Sequence, residues 1–263
     1  MAESPHGRFV WYEMLTVDKG PTIDFYKRVV GWDTQEMEGG EQAYTMFTIG
    51  EAPVGGIMDL PEEARAAGAP PHWLAYVSTP DTDATVEQAK ELGAKVLVEP
   101  MSIPEVGRMA VLSDPQGAVF AVFTAASDSP RRDGPPQVGE FSWHELATSD
   151  YEAGFDFYSA LFGWEKTNAM DMGEGMGVYQ MYGSGGHELG GMYNLGPNIP
   201  APPHWLLYAT VPDVDAAVET VKSLGGQVLN GPMDVPGGDR VVQCMDTQGA
   251  AFALHSSGGA ENS

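Results

Sequence analysis

The sequence has a single cysteine, Cys244, and only 13 lysines and arginines against 37 aspartates and glutamates. One cysteine cannot form an intramolecular disulfide, which is typical of a reducing compartment, and its position in a predicted strand indicates a buried, unreactive thiol. The formal net charge of −24 repels phosphate backbones and anionic lipid, so neither nucleic acid nor a membrane is expected as a partner. The expected partner is a small-molecule ligand, and the expected assembly is a monomer or homodimer.

Long apolar runs are missing as well. No segment reaches transmembrane length, and the N-terminal residues lack the hydrophobic region of a signal peptide, so we expect a cytoplasmic protein. The sequence has no phosphate-binding loop of the Walker or dinucleotide type, and no Cys–His or Ser–His arrangement recurs along it. Nucleotide binding and nucleophilic catalysis are therefore not predicted. Hydrophobic residues make up 43% of the chain, which is enough for a globular fold.

The sequence does contain an internal repeat, in which one unit occurs twice. The six tryptophans fall into three pairs whose members lie 132 residues apart: Trp11 and Trp143, Trp32 and Trp164, Trp73 and Trp205. Each half predicts a strand, a helix and further strands, and then the same order again. A linker-like stretch rich in Pro, Ser and charge, 125–138, separates the halves. We predict domains at 1–124 and 139–257, followed by a tail at 258–263.

Three short motifs recur in the same order in both halves. They are Phe-Tyr-x-x-x-x-Gly-Trp at 25–32 and 157–164, Leu-Gly-Ala or Leu-Gly-Gly at 92–94 and 224–226, and a hairpin turn, Asp-Pro-Gln-Gly, at 114–117, echoed at 246–249. Together they resemble the glyoxalase/bleomycin-resistance/extradiol-dioxygenase group, the vicinal oxygen chelate superfamily, and within it the tandem glyoxalase-like proteins of actinobacteria. The resemblance implies an α+β fold of two tandem glyoxalase-like domains. Each would consist of two βαβββ units whose strands curl into an open, barrel-like groove.

The resemblance also implies a divalent metal in the groove, acting as a Lewis acid. Carried onto this sequence, the ligand positions of the family fall on residues that cannot bind a metal: Trp11 and Trp143, Leu74 and Leu206, Ala121 and Ala253. The first unit of each domain ends in Gly-Gly, at 55–56 and 190–191, where some members use a carboxylate. We therefore predict no cofactor.

One metal alternative stays open. Glu145, His204 and His255 lie on strands expected to surround the second groove, and two histidines with a carboxylate are a recognised metal-binding set. The first-domain equivalents are Glu13, His72 and Phe123, so only the second set is complete.

Glu13 and Glu145 are the candidates for chemistry. Strand alternation places each on one face with a tryptophan, and desolvation there would raise the carboxyl pKa and suit a general acid or base. If the strand register differed by one residue, Tyr12 and His144 would face the groove instead. The structural alternative is a buried ion pair of each glutamate with Arg108 or Arg240. The predicted ligand contacts are Trp11, Tyr76, Trp143, His204, Tyr208 and Arg240.

Three functions follow, in order of preference. The first is a metal-independent protein that binds a hydrophobic or aromatic metabolite in an aromatic groove. The second is a metal-free lyase or isomerase that uses a groove glutamate for proton transfer. The third is a metal-dependent glyoxalase-like or dioxygenase enzyme, for which the ligand positions would have to differ from those assigned above. Whether the chain is an enzyme is left open, because this fold hosts many chemistries.

Overall fold

The computed structural model describes residues 6–37, 44–127, 134–173, 177–196 and 201–258. The first copy of the repeat contains eleven elements: β1 (Phe9–Thr16), α1 (Lys19–Val29), β2 (Asp33–Met37), β3 (Tyr44–Ile49), β4 (Ala52–Asp59), α2 (Glu62–Ala66), β5 (His72–Ser78), α3 (Thr82–Glu91), β6 (Lys95–Ile103), β7 (Gly107–Ser113) and β8 (Val119–Ala125). The second contains ten: β9 (Phe141–Thr148), α4 (Tyr151–Phe162), β10 (Glu165–Asp171), β11 (Val178–Ser184), β12 (His187–Asn194), β13 (His204–Thr210), α5 (Val214–Ser223), β14 (Gln227–Asp234), β15 (Arg240–Met245) and β16 (Ala251–Ser256).

Four helices start at an aspartate. The side chains of Asp18, Asp81, Asp150 and Asp213 each accept a hydrogen bond from a backbone N–H of the first turn that follows. Such N-caps stabilise a helix by about 1 kcal/mol because they satisfy amides that have no partner inside the helix. The same device therefore begins all four of the long helices described.

The strands form two eight-stranded sheets with equivalent orders, β2-β3-β4-β1-β5-β8-β7-β6 and β10-β11-β12-β9-β13-β16-β15-β14. This confirms the predicted α+β class and the four βαβββ units, and in the described residues neither sheet closes into a barrel. β1 pairs with β4 in parallel and places Glu13 opposite Gly56. β9 pairs with β12 in the same way and places Glu145 opposite Gly191.

Some elements differ from the sequence prediction. β2 and β10 belong to the βαβββ units that the resemblance implies, but no residue pattern of their own marks them, and β6 and β14 have only a weak pattern. All four are terminal strands of a sheet and are largely exposed on both faces, so the sequence has little apolar–polar alternation there. The short helix α2, between β4 and β5, is additional to the predicted order of elements.

The chain divides into two compact units that do not coincide with the two copies. One comprises Met1–Trp11, Leu74–Asp133 and Trp143–Trp205; the other comprises Tyr12–Trp73, Gly134–Ser142 and Leu206–Ser263. Each unit therefore combines the later half of one copy with the earlier half of the other. Part of the predicted linker, 128–133, and most of the predicted tail, 259–263, lie outside the described residues, and the sequence boundaries remain a prediction.

The core of the first unit is built around Tyr158 of α4, whose ring lies 5.2 to 5.3 Å from those of Phe120, Trp164 and Trp205. Its hydroxyl donates to Asp114 Oδ2 at 3.1 Å and accepts from Trp205 Nε1 at 3.1 Å. The other carboxylate oxygen of Asp114 accepts three backbone N–H groups of the hairpin turn. The Phe-Tyr and Asp-x-Gln-Gly motifs therefore recur because they meet in the core.

The second unit repeats this network with Tyr26, Asp246 and Trp73. Tyr26 donates to Asp246 Oδ2 at 3.1 Å and accepts from Trp73 Nε1 at 2.9 Å. Burial raises the pKa of Asp246, as it raises the pKa of Asp114 in the first unit. These two carboxyl groups are structural, since each joins a turn to the aromatic core of its own unit.

Among the helices that the structure describes, none has the length and apolar character needed to cross a bilayer. Cys244 is buried, as predicted, and burial raises the pKa of its thiol to about 12.

Candidate functional site

In the second copy, Glu145 takes part in a partly buried chain of hydrogen bonds. The carboxylate is 5% exposed on β9. The Tyr179 hydroxyl, from β11, donates to Glu145 Oε2 at 2.9 Å, and Trp143 Nε1 donates to the Tyr179 oxygen at 2.7 Å. Trp143 and Glu145 project from the same face of β9 because they are two residues apart. We call Trp143, Glu145, Tyr179, Gly191 and Tyr193 the second-copy site.

In the first copy, Glu13 has the same partner type. It is 4% exposed on β1, and the Tyr44 hydroxyl of β3 donates to Glu13 Oε2 at 2.8 Å. We call Glu13, Tyr44 and Gly56 the first-copy site. Each site lies within one compact unit. The recurrence indicates that the duplicated unit carries the tyrosine and the glutamate together.

Glycine makes room for each tyrosine. A Cβ atom built on Gly191 would overlap the ring of Tyr179, and one built on Gly56 would overlap the Tyr44 hydroxyl. Any other residue would therefore force the phenol away from its glutamate. These glycines stand at the end of the first unit of each copy, where the resemblance implies a carboxylate ligand in some members. Here a phenol fills that space.

The two sites differ at one neighbouring position. Tyr193, two residues after Gly191, lies opposite Ala147 across the β9–β12 pair, and its ring stacks on Tyr179 with centroids 5.9 Å apart and planes 22° apart. Burial raises the pKa of Tyr193, and the negative charge of Glu145 adds to the effect. The equivalent pair in the first copy is Met58 opposite Leu15.

The neighbouring residue on β9 has different surroundings. His144 points to the opposite face from Glu145: it is buried, its Nδ1 lies 2.8 Å from the Leu189 carbonyl oxygen, and its ring stacks on Phe9 at 3.7 Å. In this chain it is a core residue.

The other predicted ligand contacts occupy mixed environments. Trp11 is half-buried on β1, and Tyr76 is buried on β5 opposite Ala121 of β8. Tyr208 is buried, and its hydroxyl accepts a hydrogen bond from Gln243 Nε2 at 3.1 Å. His204 lies at the start of β13 with Nδ1 2.8 Å from the Pro202 carbonyl oxygen. Ligand contact by these side chains remains a prediction.

His72 repeats the arrangement of His204. Its Nδ1 lies 2.8 Å from the Pro70 carbonyl oxygen, and burial lowers the pKa of the ring. A histidine that enters a strand after Pro-Pro is therefore tied to the preceding turn in both copies.

The buried ion pairs considered for the two glutamates are wrong. Arg108 binds Asp83 through Nε and Nη2 and bonds Ser102 through Nη1. Arg240 binds Asp215 through Nε and Nη2 and Asp234 through Nη1. These aspartates lie at or near the surface, where arginine can be paired without desolvating a carboxylate. A ligand role for Arg240 remains a prediction. Its guanidinium is already bonded to two carboxylates, those of Asp215 and Asp234.

The alternative metal set of Glu145, His204 and His255 is not assembled either. Within the described ranges, no group of three His, Cys, Asp or Glu side chains is placed to hold a metal ion. His255 uses both ring nitrogens elsewhere: Nδ1 lies 2.9 Å from Ser142 Oγ and Nε2 lies 3.0 Å from Asp239 Oδ2. The residues at the metal positions of the family also do not fit a metal, because indole, glycine and aliphatic side chains offer no ligand atom and the nearby phenol is bonded to the glutamate.

Sequence reasoning missed Tyr44, Tyr179 and Tyr193 as site residues. Tyr44 and Tyr179 lie 31 and 34 residues from the glutamates that they bond. Alternation within a strand does not show which strands lie close together. A signal was nevertheless present. Tyr44 and Tyr179 recur at the same offset as Gly56 and Gly191, which differs from the offset of the glutamates because of length changes in loops.

Comparison with known proteins identifies the family of the chain. The family model described as "Glyoxalase/Bleomycin resistance protein/Dioxygenase superfamily" matches residues 8–122 and 140–254. The "Anthracycline biosynthesis protein DnrV" of Streptomyces peucetius is 31% identical over 260 residues, 94% of this chain and 92% of the relative. The "Putative glyoxylase CFP32" of Mycobacterium tuberculosis (strain CDC 1551 / Oshkosh) is 32% identical over 250 residues, 93% and 92% of the two chains.

Solved structures share the fold at lower identity. The Mn(II)-bound glyoxalase of Novosphingobium aromaticivorans superposes with a TM-score of 0.64 at 17% identity, over 97% of this chain and 82% of that one. The 2,3-dioxygenase LapB of Pseudomonas sp. KL28 gives 0.65 at 13% identity, over 97% and 94%. The two-segment family match, the relatives that span nearly the whole chain and the repeated βαβββ units together establish that this chain belongs to the glyoxalase/bleomycin resistance protein/dioxygenase superfamily.

Proposed function

We propose that this chain binds a hydrophobic or aromatic small molecule and that binding needs no metal ion. The observation that carries the proposal is the tyrosine packed over glycine and bonded to a buried glutamate, present in both copies. It replaces a potential ligand position with a phenol and leaves an aromatic surface with few polar groups. Sites of that composition suit apolar organic ligands.

The names of two relatives support an aromatic ligand. DnrV and DauV, 31% and 30% identical to this chain, are both named anthracycline biosynthesis proteins. An anthracycline is a fused-ring aromatic ketone, which would match a surface that presents Trp143, Tyr179 and Tyr193. We extend this to the present chain as a ligand class, a planar polycyclic aromatic, without choosing a particular molecule.

Binding can be tested with 1,8-dihydroxyanthraquinone and chelator-treated protein. We expect saturable quenching of tryptophan fluorescence and a rise in Tm, with the same affinity whether EDTA or Mn²⁺ is present. Glu145→Gln should alter the affinity, whereas Asp83→Asn, on the exposed ion pair with Arg108, is a control that should leave it unchanged. Absence of saturable binding to any planar aromatic probe, or binding only with added metal, would contradict the proposal.

A second candidate, a metal-free lyase or isomerase, is favoured by one observation. Glu145 is buried beside a phenol that donates to it, and a desolvated carboxylate next to a hydrogen-bond donor can take a proton from a carbon acid and return it. A suitable probe is 2-acetylnaphthalene in D₂O, because its methyl C–H groups lie next to a ketone. An enzyme of this kind would speed deuterium uptake, measured by mass spectrometry, and Glu145→Gln would abolish the acceleration. Wild-type protein that binds the probe without speeding exchange would leave ligand binding as the function.

The same proposal includes a cytoplasmic location and the absence of nucleic-acid partners. The buried thiol of Cys244 and the net charge of −24 support these two statements. Cell fractionation and a gel-shift assay at low salt would test them. Recovery of the protein with membranes, or a shifted nucleic-acid band, would contradict the respective statement.

A further inference from the structure

The two sites share their glutamate, tyrosine and glycine but differ in the pair of residues that follows along the same strands. In the second copy this pair is Ala147 and Tyr193, and in the first it is Leu15 and Met58. Ala147 is buried and Tyr193 is half-buried, and the tyrosine brings a hydroxyl to this position. The half-buried Leu15 and the exposed Met58 offer no hydrogen-bond donor.

Tyr193 has a polar atom that the fold does not use. In the part of the chain that the structure describes, its ring contacts Tyr179 but its hydroxyl makes no hydrogen bond. The residue is half-buried, so solvent reaches part of its side chain. Because its pKa is raised by burial and by the charge of Glu145, the phenol keeps its proton at physiological pH and remains a donor.

We propose that Tyr193 makes the second-copy site selective for neutral planar ligands that carry a hydrogen-bond acceptor such as a ring ketone, and that the first-copy site lacks this selectivity. This inference rests on the proposed function, since it assigns the chemistry of the ligand to one of the two sites. The phenol donates to the ketone oxygen, and the ligand ring lies against the aromatic rings of Tyr193 and Tyr179.

The surroundings exclude other ligand types. An anionic oxygen placed beside Tyr193 would be repelled by the carboxylate of Glu145, whose charge also raises the pKa of this phenol. A hydrocarbon of the same shape would bury its surface equally well but would leave the hydroxyl of Tyr193 desolvated and without an acceptor. A neutral ketone avoids both penalties.

The test compares 9,10-anthraquinone, which has two ketone oxygens and no donor, with anthracene, which has the same three rings and no oxygen. Tryptophan quenching and anthracene emission give the two dissociation constants. Tyr193→Phe should weaken anthraquinone binding about threefold to tenfold, the range for one hydrogen bond. It should not weaken anthracene binding, because it removes the hydroxyl that anthracene leaves without an acceptor. The control Asp83→Asn, on the exposed ion pair with Arg108, should change neither constant.

A second variant introduces the alanine–tyrosine pair of the second-copy strands into the first copy. Leu15→Ala with Met58→Tyr rebuilds the second-copy pair in the first copy, and it should add an anthraquinone-preferring site to the protein. Equal binding of anthraquinone to wild type and Tyr193→Phe, or an equal loss for both probes, would overturn the inference. If wild type binds neither probe, the proposed function fails instead, so the two failures are distinguishable. An unchanged Tm without ligand confirms that Tyr193→Phe is folded.

Discussion

Replacing Tyr179 by phenylalanine isolates the hydrogen-bonded chain of the second-copy site. The change keeps the aromatic ring and removes one oxygen that both accepts from Trp143 at 2.7 Å and donates to Glu145 at 2.9 Å. A hydrogen bond between neutral groups contributes about 1 kcal/mol, and one to a charged group about 1.5 to 3 kcal/mol. The loss should lie near the lower end of the summed range, about 2 to 3 kcal/mol, because Trp143 and Tyr179 are only half-buried and water can reach the vacated space.

For a chain of this size, about 1 kcal/mol corresponds to about 2 to 4 °C in Tm, so we expect Tyr179→Phe to lower Tm by about 4 to 12 °C. Differential scanning calorimetry measures this shift, and far-UV circular dichroism confirms that the variant is folded. Tyr193→Phe is the matched control, because it removes a hydroxyl with no hydrogen bond among the described residues, and its Tm should change by less than about 2 °C.

A double-mutant cycle with Glu145→Gln then measures the coupling between the two side chains. We expect about 1 to 2 kcal/mol, in the range found for contacting groups. The reasoning is refuted if Tyr179→Phe is as stable as the Tyr193→Phe control, or if the effects of Tyr179→Phe and Glu145→Gln simply add.

Three further predictions concern other parts of the molecule. Gly191→Ala should lower Tm at least as much as Tyr179→Phe, because the added methyl displaces the Tyr179 ring, and a wild-type near-UV spectrum and Tm would contradict this. Burial raises the pKa of Asp114 in the folded state, so its stabilising contribution is present below its ordinary pKa of about 4 and is lost as pH rises through the folded value. Urea denaturation should therefore show a smaller penalty for Asp114→Asn at pH 7 than at pH 4.5, and a larger one would refute the sign. Cys244 should react with a disulfide reagent at pH 8 only as fast as the protein unfolds, because a thiol with a pKa of about 12 is about 10⁻⁴ ionised there, and rapid labelling of native protein would contradict its burial.

The sequence predicted the repeat and most strands because buried strands and capped helices leave strong patterns. Burial or helix capping restricts which residue types are tolerated at the tryptophan pairs, the capping aspartates and the Phe-Tyr motif. The sheet edges β2 and β10 leave no such pattern, since water reaches both faces and many polar residues are tolerated. Their existence follows from pairing with β3 and β11, which sequence alone does not show.

The candidate site was predicted in part. Glu13 and Glu145 could be identified because a carboxylate amid aromatic and apolar strand residues is unusual, and the structure places both in buried positions. Their partners could not, because Tyr44 and Tyr179 come from other strands and lie 31 and 34 residues from the glutamates. The predicted ion pairs with arginine are absent because each arginine instead donates two parallel hydrogen bonds to an aspartate, Asp83 or Asp215.

We propose that a phenol bonded to a glutamate takes the place of a metal ion in both copies, and titration calorimetry of chelator-treated protein with Mn²⁺ tests this most directly. We expect only weak, salt-sensitive heat that reflects the net charge of −24 and is the same for wild type, Glu145→Gln and Glu13→Gln. Stoichiometric Mn²⁺ binding with micromolar or tighter affinity, lost in Glu145→Gln or Glu13→Gln, would contradict it.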